Sequence, residues 1–171
     1  MNIRKANIDD VEGVAHVHVN SWRSTYKGLI SDTFLSNLTL EGRKKNWLWT
    51  FNNLNQDEEI FVAMDQQGII GFSNSGKNRN HEYDHDGELY AIYLLKEYQG
   101  KGIGRRLVQA AVDSLKVKGY KSMMLWVLEN NPSLGFYLKI GGTVIGKKDI
   151  TIGGDTLIEL AVAWGNLDDI V

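Results

Sequence analysis

Cysteine is absent from the 171-residue sequence, which excludes disulfide bonds and any catalytic or metal-binding thiolate. Neither sign of charge is in large excess. With 19 Lys and Arg against 21 Asp and Glu, the net charge of −2 gives no electrostatic reason to expect a nucleic-acid partner. No apolar run approaches the roughly 20 residues of a membrane span, and residues 1–6 lack the apolar core of a signal peptide. These absences predict a cytoplasmic protein that binds neither nucleic acid nor a membrane.

The composition is that of an ordinary globular protein, with 43% hydrophobic and 23% charged residues. A chain of this length buries most of its core without disulfides or metals. No internal repeat or low-complexity linker divides it. We therefore expect one domain over residues 1–171.

The spacing of apolar residues predicts both helices and strands. Helices are expected over residues 9–27, 31–38, 40–54 and 102–118, and from Asn131-Pro132 onward. Strands are expected over residues 2–6, 59–64, 69–73, 88–94, 122–128, 142–146 and 156–162, and a polar loop over 74–86. The helix between the fourth and fifth strands requires a parallel pair, whereas the other connections favour antiparallel pairs. The pattern predicts an α/β fold of the α+β type, with a central mixed, mostly antiparallel sheet flanked by helices. A doubly wound parallel sheet is the alternative.

The segment Tyr98–Arg105, YQGKGIGR, has three glycines at alternate positions between a strand and a helix. It lacks the third glycine of a G-x-G-x-x-G dinucleotide motif and the Lys-Ser/Thr pair of a Walker A loop. A glycine-rich turn at a helix N-terminus nevertheless presents unpaired N–H groups to a phosphate. The alternative is a tight connection that binds nothing, and the turn alone does not decide between them.

Several motifs together resemble the GNAT superfamily of N-acetyltransferases. Gln99–Gly104 resembles its Q/R-x-x-G-x-G/A signature, and Glu88–Leu94 resembles its fourth strand. The segment LWVLENNP over 125–132, followed by Phe136-Tyr137, resembles its fifth strand and following helix. Two departures are a missing proline near Lys96 and a Gly141-Gly142 pair where family members often have Gly-Phe. The resemblance covers residues 2–162 and implies a GNAT-like domain.

This resemblance implies transfer of an acetyl group from acetyl-CoA to an amine of a small molecule or peptide. The turn would bind the cofactor pyrophosphate through its backbone, at Gln99, Gly100, Lys101, Gly102, Ile103, Gly104 and Arg105. The main chain of Ile92, Tyr93 and Leu94 would pair with the pantetheine arm, and the Leu94 N–H would face the thioester carbonyl. Asn131 would hydrogen-bond the cofactor, cap the next helix, or do both.

The resemblance also implies two catalytic groups. Glu88 would remove the proton of the amine, although a water chain or a merely solvated strand-end residue is an open alternative. Tyr137 would contact the cofactor and protonate the departing thiolate, with core packing as the alternative. Trp22 and Tyr26 would line the acceptor site. They share a helical stripe with His18, and core packing also explains such a stripe.

No metal site is expected, because nothing completes a ligand set around the His81–Asp86 loop. Two other functions compete with catalysis. A structural domain is disfavoured by the intact glycine turn, and a CoA-sensing module without turnover is disfavoured by the presence of both Glu88 and Tyr137. The sequence identifies neither the acceptor nor the oligomeric state, for which we expect a monomer or homodimer.

Overall fold

A computed structural model describes residues 1–170; Val171, the last residue of the predicted domain, lies outside them. The strands are β1 (Asn2–Lys5), β2 (Glu59–Asp65), β3 (Gly68–Lys77), β4 (Gly87–Leu94), β5 (Met123–Leu128), β6 (Thr143–Ile152) and β7 (Asp155–Trp164). The α-helices are α1 (Val11–Thr25), α2 (Asp32–Asn37), α3 (Leu40–Asn52), α4 (Ile103–Val117) and α5 (Leu134–Lys139). Short 3-10 turns cover Ile8–Asp10, Lys96–Tyr98 and Leu167–Asp169.

All seven strands form one sheet in the order β1-β2-β3-β4-β5-β7-β6. Every neighbouring pair is antiparallel except β4 and β5, which are parallel. The helix α4 makes the crossover between these two strands, as a parallel connection requires. The predicted fold class is confirmed, and the doubly wound parallel alternative is wrong.

The parallel pairing of β4 and β5 is very short. Only Gly87 with Met123 and Glu88 with Met124 are in register, whereas β4 stays paired with β3 as far as Leu94. On its other side, β5 stays paired with β7 to its end at Leu128. Each strand therefore follows its antiparallel neighbour, and a gap opens in the middle of the sheet.

Helices cover both faces of the sheet. The apolar stripe of α4 packs on one face of the sheet. Most of it lies against β4 and β5, through Val108, Ala111, Val112 and Leu115. Leu107 packs against β2 and β3 instead. On the other face, α1 and α3 pack against β2 and β3 through Val14, Trp47 and Phe72. Full burial of each large apolar side chain contributes about 1.5–3 kcal/mol. These two layers hold the diverging strands in place.

The predicted strand positions are correct, but three strands are longer than expected. β3 continues to Lys77 into the segment predicted as a loop, because Asn74 and Ser75 are buried and pair with β4. A bulge at this point leaves Tyr90 of β4 unpaired between Ala91 and Leu89. The hairpin of β6 and β7 also extends on both sides of its predicted Gly153-Gly154 turn. Polar sequence concealed these extensions, since alternation of polar and apolar residues is the main signal for a strand.

Two helix starts also differ from the prediction. The α5 helix begins at Leu134, because the Asn131 Oδ1 accepts from the Ser133 N–H at 2.8 Å and forms a turn first. The first helix, expected from residue 9, begins as α1 at Val11, after the 3-10 turn Ile8–Asp10 that the Asn7 side chain caps.

The space beside Gly142 is filled by side chains of β7. A Cβ atom at Gly142 would lie 2.6 Å from Val162 Cγ1 and 2.8 Å from the Trp164 ring. The Trp164 Nε1 donates to the Ile140 carbonyl at 3.0 Å. Trp164 therefore fills this part of the core, which explains the Gly141-Gly142 pair.

Asp10 gives the fold a testable pH dependence. Its buried carboxylate accepts from both Arg4 guanidinium NH groups, at 2.7 and 2.8 Å, and from the Asn7 N–H at 2.9 Å. The bonds from Arg4 lower the pKa of Asp10. Because the folded pKa lies below the unfolded one, this stabilisation is present above roughly pH 4 and disappears as pH falls through the folded pKa.

We expect Asp10→Asn to lower the free energy of unfolding by about 2 kcal/mol at pH 7. This corresponds to a Tm lower by roughly 4–8 °C in thermal denaturation. The difference from wild type should shrink as the pH falls below roughly 4 and through the lowered folded pKa of Asp10. The exposed neighbour Asp9 provides the control, and a similar loss in Asp9→Asn would contradict the assignment.

Candidate active site

The gap between β4 and β5 exposes main-chain hydrogen-bonding groups. The Leu95 N–H donates to the Ile70 carbonyl at 3.0 Å, so Tyr93, two residues earlier, also directs its N–H and C=O toward β3. Ile92 and Leu94 then direct theirs away from β3, into the gap. The Gln99 side chain donates to the Leu94 carbonyl at 3.1 Å and joins the start of the glycine turn to this edge. The gap is thus lined by a strand edge to which an extended ligand can add.

The glycine turn has the geometry of an anion site. Gly100 and Gly102 have φ of 73° and 78°, a left-handed conformation that side chains rarely adopt. A Cβ atom at either position would meet no described atom within 4 Å, so open space and not crowding surrounds them. Gly102 is the N-cap of α4 and provides no side-chain cap, which leaves the first N–H groups of this 15-residue helix available. The arrangement fits a pyrophosphate group.

Gly104 has a different role from the other two glycines. It lies inside α4, and a Cβ there would be in ordinary contact with the Phe136 ring at 3.7 Å. The packing of α5 against the start of α4 therefore does not require glycine at this position. Lys101 and Arg105 are exposed beside the turn and add local positive charge. The Lys101 Nζ lies 5.4 Å from the centre of the Tyr98 ring.

Aromatic side chains from α1 and β4 meet at the gap. The Trp22 Nε1 donates to the Tyr93 hydroxyl at 3.0 Å, and the Trp22 and Tyr26 rings pack edge-on at 4.7 Å. Asn131 Nδ2 lies 3.4 Å from the Tyr26 hydroxyl, a long hydrogen bond. The fold therefore brings Trp22, Tyr26, Tyr93 and Asn131 together, although they are far apart in sequence. We refer to Trp22, Tyr26 and Tyr93 as the aromatic cluster.

Tyr137 joins this group from α5. Its ring is buried among the residues that pack under β5 and β7, and it meets the Trp164 ring edge-on at 6.5 Å. Burial, and secondarily the nearby Tyr93, raise the pKa of Tyr137 well above its usual value of 10. The phenol is therefore protonated at neutral pH and able to donate a proton. Its burial also agrees with a packing role.

His18 is a structural member of the same group. The Trp47 Nε1 donates to His18 Nδ1 at 3.0 Å, and the imidazole stacks on the Tyr93 ring at 4.8 Å. Burial, with a smaller effect of Arg43, lowers the pKa of His18 to about 3. The imidazole is neutral at physiological pH, and its stacking contact helps to fix the position of the Tyr93 ring.

Glu88 lies at the head of β4, in an ion pair. Its carboxylate accepts from the Arg79 backbone N–H at 3.0 Å, from its Nε at 3.2 Å and from a terminal NH group at 3.0 Å. Glu88 is only 3% exposed, so the alternative of a solvated strand-end residue is wrong. Arg79 stacks on Tyr90. Together with Asn74 and Trp49, it lines a pocket of about 400 Å³.

Three charged residues near the gap were missed by sequence reasoning. Glu159 and Lys148 face each other across the β6–β7 hairpin, and Arg43 of α3 lies 5.4 Å from the centre of the Trp22 ring. They come from parts of the chain that carry no motif, and only strand register and helix packing bring them to the gap. Within residues 1–170, no group of three or more His, Asp or Glu side chains is arranged to hold a metal ion. In the same range, no helix is both long and apolar enough to cross a membrane.

Comparison with known proteins identifies relatives of this sequence. The profile of the Acetyltransferase (GNAT) family matches residues 22–142. An uncharacterized N-acetyltransferase, YuaI of Bacillus subtilis, is 35% identical over 98% of this chain and 94% of its own. The spermidine N(1)-acetyltransferase of Thermoplasma acidophilum is 30% identical over 93% of this chain and 96% of its own.

Solved structures give the same result. The PaiA N-acetyltransferase of Thermoplasma acidophilum, in complex with coenzyme A, superposes with a TM-score of 0.74 at 30% identity, over 92% of this chain and 96% of its own. The structure of YncA of Salmonella typhimurium with acetyl-CoA, at 18% identity, shares the fold with a TM-score of 0.71 over 98% and 94%.

The chain belongs to the GNAT family of acetyltransferases. It is an N-acetyltransferase that uses acetyl-CoA, as the sequence motifs predicted. These relatives do not favour the alternative of a CoA-sensing module without turnover.

The half-buried, neutral His18 predicts that the protein loses stability in mild acid. The pKa of His18 is about 6.5 in the unfolded chain and about 3 in the folded chain, so the unfolded chain binds this proton first as the pH falls. Stability should therefore fall by about 1.4 kcal/mol for each pH unit below 6.5 from this group alone. Between pH 7 and pH 5, we expect a contribution of about 2 kcal/mol.

Urea denaturation at the two pH values measures this loss in wild type, His18→Gln and His16→Gln. His18→Gln should show a smaller loss than wild type, since its side chain does not titrate. His16 is exposed on the same helix, so its variant should keep the wild-type pH dependence. Equal losses in all three proteins would disprove the assignment.

Proposed function

We propose that this acetyltransferase modifies a primary amine of a small molecule, and that polyamines are the first acceptors to test. The observation that carries the proposal is the convergence of the aromatic cluster, Asn131 and Tyr137 at the β4–β5 gap. The spermidine N(1)-acetyltransferase that matches nearly the whole chain supports the acceptor class. A peptide acceptor, a monomer or homodimer, and a cytoplasmic location stay predictions.

The glycine turn is the proposed site for the cofactor pyrophosphate. The first N–H groups of α4 have no side-chain cap, open space surrounds Gly100 and Gly102, and Lys101 and Arg105 add positive charge. Ile92 and Leu94 offer main-chain groups at the gap for the pantetheine arm. When bound, acetyl-CoA supplies the acetyl group as an activated thioester. The Leu94 N–H then faces the carbonyl oxygen, where negative charge develops.

Tyr137 is the proposed proton donor to the leaving sulfur. Burial keeps the phenol protonated, and the influence of Tyr93 on its pKa places the two tyrosines near each other. Trp22 and Tyr26 are the proposed lining of the acceptor site, since Trp22 bonds to the Tyr93 hydroxyl and packs edge-on against Tyr26. Glu88 stays a candidate for the base, although Arg79 occupies its carboxylate.

Release of free thiol from acetyl-CoA across a panel of polyamines, amino acids, aminoglycosides and short peptides tests the function. Direct CoA binding is measured on the same preparation. Thiol release with small amines is the expected result. CoA binding without thiol release for any amine would disprove acetyl transfer to this class.

Replacing Gly102 tests the pyrophosphate site. We expect Gly102→Ala to weaken CoA binding at least tenfold, or about 1.4 kcal/mol, because the added Cβ occupies space that the phosphate needs. Gly119, at the opposite end of α4, is the matched control: its φ is 86° and its surroundings are equally open.

Both alanine variants should lose about 1 kcal/mol of stability from the left-handed conformation. Only Gly102→Ala should lose CoA affinity in isothermal titration. Unchanged affinity in a folded Gly102→Ala protein, or an equal loss in Gly119→Ala, would exclude this site.

Replacing Tyr137 by Phe tests the proton donor. The change removes the hydroxyl and keeps the ring packing, so turnover should fall roughly 10²-fold or more while CoA affinity and Tm change little. Tyr120→Phe is the control, because Tyr120 packs against the same core cluster at the far end of α4. Full turnover in Tyr137→Phe would mean that the residue serves only the core.

A further inference from the structure

The reaction requires a group that takes a proton from the acceptor. An alkylammonium has a pKa near 10 and is protonated at neutral pH, so it has no lone pair for attack until the proton leaves. Glu88, the residue that the family resemblance implies, has three donors on its two oxygens, all from Arg79. Accepting a further proton would break this buried arrangement. Glu88 is therefore poorly placed to act as the base, and a less constrained carboxylate at the gap is better suited to this role.

Glu159 of β7 satisfies this requirement by its position. It pairs in register with Leu128, the last residue of β5, and with Lys148 of β6. Along β7, Leu160 and Val162 face the α4 side, whereas Ala161 packs with Trp126 and Leu157 packs against Tyr26 and Leu128. Strand alternation places Glu159 with Leu157 and Ala161, on the face that carries the aromatic cluster.

Glu159 lies beside the aromatic cluster, because its register partner Leu128 and its strand neighbour Leu157 both pack in one group with Tyr26 and Trp22. Burial raises the pKa of Tyr93, and the charge of Glu159 adds a small contribution in the same direction. The Glu159 side chain is 17% exposed, so it is reachable yet largely withdrawn from water. Burial raises the pKa of Glu159 above its usual value, whereas Lys148 has the opposite effect. A carboxylate in such an environment is a stronger base than one in water.

Lys148 holds Glu159 only loosely. Its Nζ lies 3.8 Å from Glu159 Oε2, which is too long for a hydrogen bond. The lysine side chain is 47% exposed, and its ammonium lies 3.9 Å from the centre of the Trp126 ring. A second ammonium that enters the gap can therefore replace Lys148 at little cost. The other charged group near the aromatic cluster is Arg43, above Trp22.

We propose that Glu159 binds the ammonium group of the acceptor and takes its proton, in place of Glu88. This inference rests on the function proposed above. An N–H bond of the ammonium breaks, the proton moves to a Glu159 oxygen, and the freed lone pair forms the C–N bond as the C–S bond breaks. Tyr137 protonates the sulfur, and the second proton of the nitrogen restores the phenol. The overall change is ammonium plus thioester to amide, thiol and one proton released through Glu159.

The experiment compares wild type, Glu159→Gln, Glu88→Gln and Asp149→Asn, with an acceptor that wild type acetylates. Asp149 is the matched control, an exposed carboxylate on β6 next to Lys148. The measured quantities are kcat/KM between pH 7 and pH 10, the CoA dissociation constant and Tm. Glu159→Gln should lose about 10²-fold in kcat/KM at pH 7, with CoA affinity unchanged. The deficit should shrink toward pH 10, because solvent then removes the proton from the amine.

A structural role for Glu159 would give a deficit that does not depend on pH, and this result would overturn the inference. Wild-type kcat/KM in Glu159→Gln would also overturn it, as would a pH-dependent deficit found in Glu88→Gln instead. An equal deficit in Asp149→Asn would attribute the effect to surface charge and count against it as well. If wild type binds CoA but acetylates no amine, the proposed function itself fails, which is a distinct outcome.

Discussion

The parallel pairing of β4 with β5 lasts for two residue pairs, and most features of the site follow from its early end. Beyond Glu88, each strand keeps its antiparallel partner, β3 on one side and β7 on the other. The main-chain groups of Ile92 and Leu94 then have no strand opposite them. Because unpaired backbone groups at a strand edge favour the addition of an extended chain, the gap is suited to a linear cofactor arm.

The divergence also lets side chains from distant elements meet. The α1 helix and its C-cap bring Trp22 and Tyr26 to Tyr93, and α5 brings Tyr137 near the same residue. The burial that packs these aromatic rings has a chemical effect, since it raises the pKa of the Tyr137 phenol and lowers that of His18. Packing and proton chemistry therefore have a single cause at this site, the removal of water.

Glu88 and Glu159 show how environment separates two carboxylates on the same sheet. Glu88 is fixed by three short contacts with Arg79, which suit a structural ion pair that holds the loop before β4. Glu159 instead has a longer contact, of 3.8 Å, with the half-exposed side chain of Lys148. A buried charge with excellent partners costs much to disturb, whereas a loosely paired one can exchange its partner.

The sequence by itself determined the order of helices and strands, the parallel β4–β5 pair and the position of the glycine turn. These are local matters, since apolar spacing, turn glycines and a crossover helix all lie within short segments. The tertiary structure decided how far β3, β6 and β7 extend, where Arg79 meets Glu88, and that Trp164 fills the space beside Gly142. It also decided that Glu159 and Lys148 reach the gap. Such contacts depend on strand register and on long-range packing, and no local pattern records them.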